Sequence, residues 1–201
     1  IQQYQATVTL NRPELRNAFN ETTIAELTQA FQQLDRDEHV RVIVLAANGP
    51  AFCAGADLNW MKKMADYSEA ENLADAAQLA TMLQAIYRCS KPVIAKIQGD
   101  CYAGGMGLIA AADIAIAVDS ANFCLSEVKL GLIPATISPY VIKAMGENAA
   151  RRYFITAERF SAAKALACGL VQQVVTAAEL DAAVAEIARA ICQNSPNAVK
   201  Q

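Results

Sequence analysis

The sequence has 201 residues, of which 54% are hydrophobic and 18% charged, and its formal net charge at pH 7 is −3. This length allows one sizeable core, the scattered basic residues argue against a nucleic-acid-binding surface, and no apolar run is long enough to cross a bilayer. We therefore expect a single domain over residues 1–201, with a core over about 1–176 and the start of a C-terminal helical region over about 177–201.

The chain begins with alternating strand and helix patterns. Residues 6–10 (ATVTL) alternate like a strand and stop at a turn signal, and Asn20 can cap a helix that follows. Apolar residues recur at helical spacing in that helix: Ile24, Leu27, Phe31 and Leu34. Residues 41–47 (RVIVLAA) form a continuous β-branched run, which predicts a strand buried on both faces.

The same order then repeats. A helix is predicted over 68–87, a strand over 92–97, a glycine-rich helix from Gly104, and strands over 113–118 and 122–127. The rest of the chain predicts helices over 138–145, 148–156, 161–167 and 178–192, with a late strand over 170–175. Strands alternating with helices indicate an α/β fold of stacked units.

Two short stretches depart from this pattern where a strand meets a helix. In FCAGADLNWM (52–61), small residues leave backbone N–H groups accessible and Asp57 is placed to cap a helix. In YAGGMG (102–107), glycines lead into a helix whose first N–H groups have no partner within the helix. Together, two such loops offer N–H groups for a carbonyl oxygen that gains negative charge during a reaction.

A third stretch, SEVKLGLIP (126–134), places Glu127 at the end of an apolar strand beside a turn. Burial at a strand end raises the pKa of a carboxyl group, so that it can exchange protons near neutral pH. Glu127 is therefore a candidate acid/base residue.

The inventory of histidines and cysteines limits other chemistry. His39, the only histidine, is expected in an exposed loop, which excludes a histidine-based triad and a multi-histidine metal site. The six cysteines lack Cys-x-x-Cys spacing and predict reduced, mostly buried thiols in a cytoplasmic protein. Cys53 and Cys101 adjoin the two loops and are expected to pack in the core. Asp113 begins a buried strand and is expected to cap or pair structurally. No metal or redox cofactor is implied.

In this order and spacing, the chain resembles the crotonase family, also called the enoyl-CoA hydratase/isomerase family. NRPELRNAFN (11–20) is similar to its N-terminal signature, FCAGADL (52–58) and YAGGMGLIAAADIAIA (102–117) to its two oxyanion loops, and FCLSEVKLGLIP (123–134) to its glutamate-bearing strand. The resemblance implies the ClpP/crotonase-like fold of stacked ββα units, with the C-terminal helical part missing or truncated. It also implies a homotrimer or a dimer of trimers.

The resemblance implies roles for individual residues. The backbone N–H groups of Ala56 and Gly104 would bind the thioester oxygen of an acyl-CoA substrate, and Glu127 would act as acid and base. Coenzyme A would enter as part of the substrate. Further substrate contacts would come from Ala54, Asp57, Leu58 and Asn59 along the coenzyme A path, from Leu15, Arg16 and Ala18 near its nucleotide end, and from Ala135 and Tyr140 at the acyl pocket. For Trp60 and Met61 the sequence leaves two roles open: contact with the acyl chain, or ordinary packing of the helix.

One position departs from the family pattern. Many hydratases carry a second glutamate, and counting back from Asp113 puts Gly107 at its place. Three interpretations follow: a hydratase with Glu127 alone, a Δ3,Δ2-enoyl-CoA isomerase, or a non-catalytic acyl-CoA-binding module. Residues 125–160 resemble bacterial 3-methylglutaconyl-CoA and isohexenylglutaconyl-CoA hydratases, which also lack the first glutamate, and this favours the first interpretation.

Arg151 and Arg152 are expected on a solvated helix face and are not assigned to the site.

Overall fold

The computed structural model describes residues 4–199. Its strands are β1 (Gln5–Leu10), β2 (Val42–Ala47), β3 (Ala51–Cys53), β4 (Val93–Ile97), β5 (Asp100–Tyr102), β6 (Ile114–Val118), β7 (Asn122–Cys124), β8 (Phe160–Ser161) and β9 (Gln173–Val175). Its helices are α1 (Glu21–Arg36), α2 (Leu58–Met64), α3 (Glu69–Tyr87), α4 (Gly104–Ala111), α5 (Ser138–Met145), α6 (Glu147–Thr156), α7 (Ala162–Ala167), α8 (Leu180–Gln193) and α9 (Pro196–Val199). The ends of the predicted domain, 1–3 and 200–201, lie outside the described residues.

The strands form two sheets. The larger sheet has the order β1-β2-β4-β6-β9 and its strand pairs are all parallel. The smaller sheet has the order β3-β5-β7-β8, in which only the β7–β8 pair is antiparallel. Successive strand pairs divide between the sheets, because β2, β4 and β6 join the larger one and β3, β5 and β7 the smaller. This arrangement confirms the predicted α/β fold of stacked ββα units.

This topology brings three chain segments to one edge. Strands β3, β5 and β7 are parallel neighbours, so their carboxyl ends lie side by side. The first small-residue loop follows β3, the glycine-rich loop follows β5, and Glu127 follows β7. Segments far apart in sequence therefore meet where the sequence predicted chemistry.

The centre of the larger sheet is covered on both faces, as the uninterrupted apolar runs predicted. Residues 42–46 of β2 are all buried, and so are 93–95 of β4. Helix α8 packs against β2, β4 and β6, while α1 contacts β1 and α3. The Asn20 side chain caps α1 by accepting a hydrogen bond from the Thr23 N–H at 3.0 Å.

Two predicted strands are shorter in the structure. The strand predicted over 122–127 ends at Cys124, because Ser126 turns the backbone (ψ 0°) into a 3-10 helix over Glu127–Leu130. The strand predicted over 170–175 is paired only over Gln173–Val175. On α3, Met82, Leu83 and Ile86 are buried, whereas Leu73 is 73% exposed.

Three further observations concern the described residues. None of the helices in the described part is long and apolar enough to span a membrane. Each of the six cysteines is free, and Cys53, Cys101 and Cys124 are buried. His39 is exposed, as predicted.

Candidate active site

A cavity of about 590 Å³ opens at the carboxyl ends of β3, β5 and β7. It brings together most of the residues that the sequence singled out. The predicted residues on its wall are Leu15, Ala18, Ala54, Ala56, Asp57, Leu58, Asn59, Gly104, Glu127 and Ala135. Leucine, isoleucine and proline side chains from 130–137 supply much of the remaining wall, and Lys62 contributes a positive charge.

The two small-residue loops are packed directly against each other at Gly55. Its φ of +93° lies in the region that favours glycine. A Cβ atom on Gly55 would lie 2.8 Å from the Cβ of Ala103 and 3.3 Å from the Gly104 nitrogen. Any other residue would push the loops apart, so Gly55 sets the separation of the two candidate donors.

Two other glycines allow similarly close approaches. A Cβ atom on Gly105 would lie 2.8 Å from the Cβ of Cys53, at the end of the neighbouring strand. A Cβ atom on Gly104 would lie 2.5 Å from Cζ of Phe19, whose ring packs over this turn. Small residues in the second loop are therefore required by contacts with the first loop and with Phe19.

The N–H groups of Ala56 and Gly104 are available to a ligand. Throughout residues 4–199, neither donates a hydrogen bond to the protein, whereas the adjacent Asp57 N–H donates to the Phe19 carbonyl at 2.9 Å. The Ala103 N–H likewise donates to the Cys124 carbonyl at 2.8 Å. Gly104 is the first residue of α4, so its N–H also carries the partial positive charge of a helix N-terminus. Two unpaired donors at one cavity suit an oxygen that becomes negatively charged.

The backbone before Gly104 is held in an uncommon conformation. Ala103 has φ 46° and ψ −126°, a region that residues with a side chain rarely occupy. The ψ angle of Ala103 sets the direction of the Gly104 N–H. Strain at this residue is therefore coupled to the orientation of a candidate donor.

Glu127 combines burial with an unsatisfied carboxylate. It lines the cavity, and its Oε2 atom is buried without a hydrogen-bond partner in the described residues. Burial raises the pKa of Glu127 above the usual 4.5, and its own backbone N–H opposes this only in part. This is the direction that the sequence predicted. A carboxyl group of this kind can hold and release a proton beside a bound substrate.

The N-terminal signature positions the first loop. The Arg12 guanidinium donates to the Ala18 carbonyl at 2.6 Å and forms an ion pair of 2.9 Å with Asp57. The Asn17 side chain donates to the carbonyls of Asn48 and Ala51, at 2.8 and 2.9 Å. The sequence analysis missed Arg12, although the quoted signature contains it, because its partner is 45 residues away.

Asp57 is engaged on two sides. It caps α2 by accepting from the Asn59 N–H at 2.8 Å, and it receives Arg12. Burial alone would raise the pKa of Asp57, but these hydrogen bonds and the guanidinium charge lower it below its usual value. Asp57 is thus ionised at neutral pH and serves the loop's structure as well as the cavity wall.

Replacing Arg12 with alanine is expected to lower the free energy of unfolding by about 2–3 kcal/mol, because Asp57 would keep a buried, unpaired charge. Turnover should fall as well, since Asp57 adjoins the Ala56 donor. Urea unfolding and an activity assay measure the two effects. Arg36→Ala is the matched control, because Arg36 is an exposed arginine at the end of α1. Equal urea midpoints for the two variants would contradict this role.

Two of the predicted substrate contacts, Arg16 and Tyr140, lie outside the cavity wall. Arg16 does not line the cavity: its backbone turns in the left-handed region (φ 50°), its side chain is exposed, and its carbonyl accepts the Ala54 N–H. Tyr140 is partly buried against the core, with its ring centroid 5.2 Å from that of Tyr87. Tyr140 thus contacts α3 and is not among the residues that line the cavity.

The structure also shows where the two residues after the first loop, Trp60 and Met61, are placed. Met61 lines the cavity, whereas Trp60 is buried with its ring centroid 6.3 Å from that of Phe19.

Burial raises the pKa of Cys53 to about 12 and that of Cys101 well above the usual value, so both remain protonated, inert thiols. Asp113 accepts the Val93 N–H at 2.8 Å, a structural role. Arg151 and Arg152 are exposed and pair with Glu147 and Glu158.

Gly107 does not leave an empty place in the site. It is buried in α4, and a Cβ atom there would lie 2.4 Å from Cγ2 and 2.9 Å from Cβ of Ile137. Leu83 lies on the same side, at 3.4 Å. The space that a side chain at 107 would need is therefore filled by Ile137, which itself lines the cavity. Ile137 was missed because nothing in the local sequence links it to Gly107.

The chain is similar to proteins of one family along its whole length. The family model for enoyl-CoA hydratase/isomerase matches residues 1–201. A crystal structure of an enoyl-CoA hydratase from Shewanella pealeana has 46% identity and a TM-score of 0.96, covering 100% of this chain and 75% of that one. A structure from Legionella pneumophila, designated enoyl-CoA hydratase/isomerase (crotonase), has 48% identity and a TM-score of 0.96, with 100% and 77% covered. The mevalonyl-coenzyme A hydratase of Aspergillus fumigatus is 36% identical over 194 residues, 96% of this chain and 71% of that protein.

Proposed function

Since the chain belongs to the enoyl-CoA hydratase/isomerase family and has the crotonase fold, we propose that this enzyme adds water across the α,β double bond of an enoyl-CoA thioester, with Glu127 as its single acid/base residue. The observation that carries the proposal is one cavity lined by Glu127 and by the unpaired N–H groups of Ala56 and Gly104. Coenzyme A enters as part of the substrate, and no metal or redox cofactor takes part.

The arrangement accounts for each proton and electron pair of hydration. The thioester oxygen accepts hydrogen bonds from Ala56 and Gly104. The Glu127 carboxylate removes a proton from water as the water oxygen bonds to the β-carbon, and the π electrons move onto the thioester oxygen as an enolate. Protonated Glu127 then delivers that proton to the α-carbon. Each fixed donor in a dry site of this kind is worth about 3–4 kcal/mol of transition-state stabilisation.

The proposed acyl group is a branched glutaconyl, such as 3-methylglutaconyl. The resemblance of residues 125–160 to hydratases of such thioesters supports it. A second argument is electrostatic: a substrate with its own distal carboxylate is repelled less by one protein carboxylate than by two, and position 107 carries none. Lys62 adds a positive charge to the cavity wall. The Aspergillus relative is named for an acyl-CoA hydratase reaction, which agrees with hydration as the chemistry.

A substrate panel tests this assignment. The kcat/KM values for 3-methylglutaconyl-CoA, crotonyl-CoA and a 3-enoyl-CoA are measured by loss or gain of conjugated thioester absorbance. The proposal predicts the highest value for the first substrate. Higher values for crotonyl-CoA would retain a hydratase but remove the glutaconyl assignment.

A Δ3,Δ2-enoyl-CoA isomerase is the second candidate. The buried, apolar surroundings of Gly107 favour it, because moving a double bond into conjugation needs one proton shuttle and no bound water. In the panel, formation of conjugated product from the 3-enoyl-CoA alone would support the isomerase. The remaining interpretation, an inert acyl-CoA-binding module, is disfavoured because the relatives are named as enzymes.

The rate of hydration is expected to fall as pH decreases through a value above 4.5. Only ionised Glu127 accepts a proton from water, and burial raises its pKa from 4.5. A pH profile of kcat/KM, with circular dichroism to verify folding at each pH, measures this limb. An acid limb at or below pH 4.5 would contradict the assignment of Glu127 as the base.

The assembly proposed by resemblance is a homotrimer or a pair of trimers in the cytoplasm. Light scattering coupled to gel filtration of the full-length protein measures the number of subunits. A monomeric, fully active enzyme would remove the proposal.

A further inference from the structure

Ile137 separates the cavity from Gly107. Its side chain lines the cavity, only 3% of the residue is exposed, and its Cγ2 and Cβ atoms occupy the direction in which a side chain at 107 would leave α4. Leu83 of α3 closes the same space from a second side. Hydrocarbon from Ile137 and Leu83 therefore fills the space beside Gly107, and Ile137 forms the cavity wall there.

The backbone holds Ile137 firmly in this place. It precedes α5, and its carbonyl accepts the Tyr140 and Val141 N–H groups, both at 3.1 Å. The Ser138 N–H donates to the Pro134 carbonyl at 2.9 Å. Since the contact with position 107 involves the Ile137 Cβ as well as Cγ2, a change of rotamer cannot relieve it. The start of α5 itself would have to move away from α4, on which it packs.

We infer that Ile137 is the residue that restricts this site to one carboxylate, and that it determines specificity by forming an apolar wall against the acyl group. The inference rests on the proposed function for its catalytic part and on packing alone for its steric part. Gly107 and Ile137 act as a pair: no side chain fits at 107 while isoleucine stands at 137. Because this pair keeps a carboxylate away from position 107, an acyl group with its own distal carboxylate is repelled less than in a site with two protein carboxylates.

A thermal-stability cycle tests the steric part without any substrate. Gly107→Ala is expected to lower Tm by about 3–8 °C in the native background, because overpacking a core is destabilising. In an Ile137→Gly background the same change should leave Tm unchanged or raise it, since alanine is the better helix former. Val141→Gly is the control background, because Val141 is buried in α5 outside the cavity wall. There Gly107→Ala should still lower Tm.

The cycle has clear outcomes. An equal effect of Gly107→Ala in all three backgrounds, or no effect in the native one, would overturn the pairing. If the glycine at 137 prevents folding, Ile137→Ala replaces it. That variant removes the 2.4 Å contact and keeps the 2.9 Å contact, so about half of the Tm loss should be recovered.

Kinetics test the specificity part. Gly107→Glu alone should lose activity and Tm, whereas Gly107→Glu with Ile137→Gly should accommodate the carboxylate. The ratio of kcat/KM for crotonyl-CoA to that for 3-methylglutaconyl-CoA should then rise at least about tenfold over the native ratio, because the second carboxylate repels the dicarboxylic substrate. An unchanged ratio in the folded double variant would overturn the specificity role.

Failure of the proposed function is distinguishable from failure of this inference. If the native enzyme turned over neither substrate, the proposed function would fail, while the Tm cycle would still decide whether Gly107 and Ile137 act as a pair.

Discussion

Glu127→Gln is expected to reduce turnover of the enoyl-CoA substrate by about 100- to 10,000-fold, the usual contribution of a positioned acid/base group. Glutamine has nearly the shape of glutamate but cannot accept a proton from water or deliver one to carbon. Because the backbone N–H groups of Ala56 and Gly104 are untouched, acyl-CoA binding should change little. The loss should therefore appear in kcat and not in KM.

The same variant should be at least as stable as the native protein at neutral pH. Burial raises the folded-state pKa of Glu127 above 4.5, so the ionisation penalty is absent below pH 4.5, grows as pH rises from 4.5 to the folded-state pKa, and stays constant above it. The Tm difference between variant and native protein should therefore shrink towards pH 4.5. Glu186→Gln, an exposed glutamate on α8, is the control and should change neither activity nor Tm. Near-native turnover by Glu127→Gln would remove Glu127 from the mechanism.

Gly55→Ala is expected to reduce turnover by about 100- to 1,000-fold, comparable to losing one oxyanion donor. The new Cβ would meet Ala103 at 2.8 Å and the Gly104 nitrogen at 3.3 Å, so the two donors could not keep their native separation. Binding of the thioester ground state should suffer less than the transition state, whose oxygen carries more charge. Stopped-flow absorbance and a binding titration with a non-reactive acyl-CoA separate the two effects.

Gly146→Ala is the control that separates the steric contact at Gly55 from the strain of a positive φ angle. Gly146 has a similar φ of +79°, but a Cβ there would meet nothing within 4 Å. Both variants should lose stability from the left-handed conformation, by about 1–2 kcal/mol. Only Gly55→Ala should lose catalysis. Equal catalytic losses in both would show that general destabilisation, and not the contact between loops, is responsible.

Local patterns were sufficient to predict most of the fold and the chain segments that line the cavity. The alternation of apolar runs and helical spacing predicted the stacked units, and Asp57 caps α2 as its position before LNWM indicated. Local patterns predicted the two small-residue loops and Glu127 at a strand end, and the family resemblance assigned Ala56 and Gly104 as the two donors. Each of these signals lies within a few residues of sequence, although the three segments are far apart along the chain.

What the sequence could not predict depends on pairs of distant residues. The Arg12–Asp57 ion pair and the contact of Ile137 with Gly107 have no local pattern, because either residue alone is ordinary. The glycine at 107 suggested an absent side chain, but only the packing of α5 on α4 reveals what fills its place. That Arg16 and Tyr140 lie outside the cavity wall could not be predicted for the same reason: spacing along the chain does not tell which face of a turn or helix meets the cavity.

The most direct test of single-glutamate hydration is the reaction of the full-length protein with 3-methylglutaconyl-CoA in water enriched in oxygen-18. The account predicts a product that has gained one water, carries the heavy oxygen on its β-carbon and lacks the conjugated thioester absorbance, with none of this product from Glu127→Gln. A product of unchanged mass with a shifted double bond, and no heavy oxygen, would contradict hydration and identify the enzyme as an isomerase.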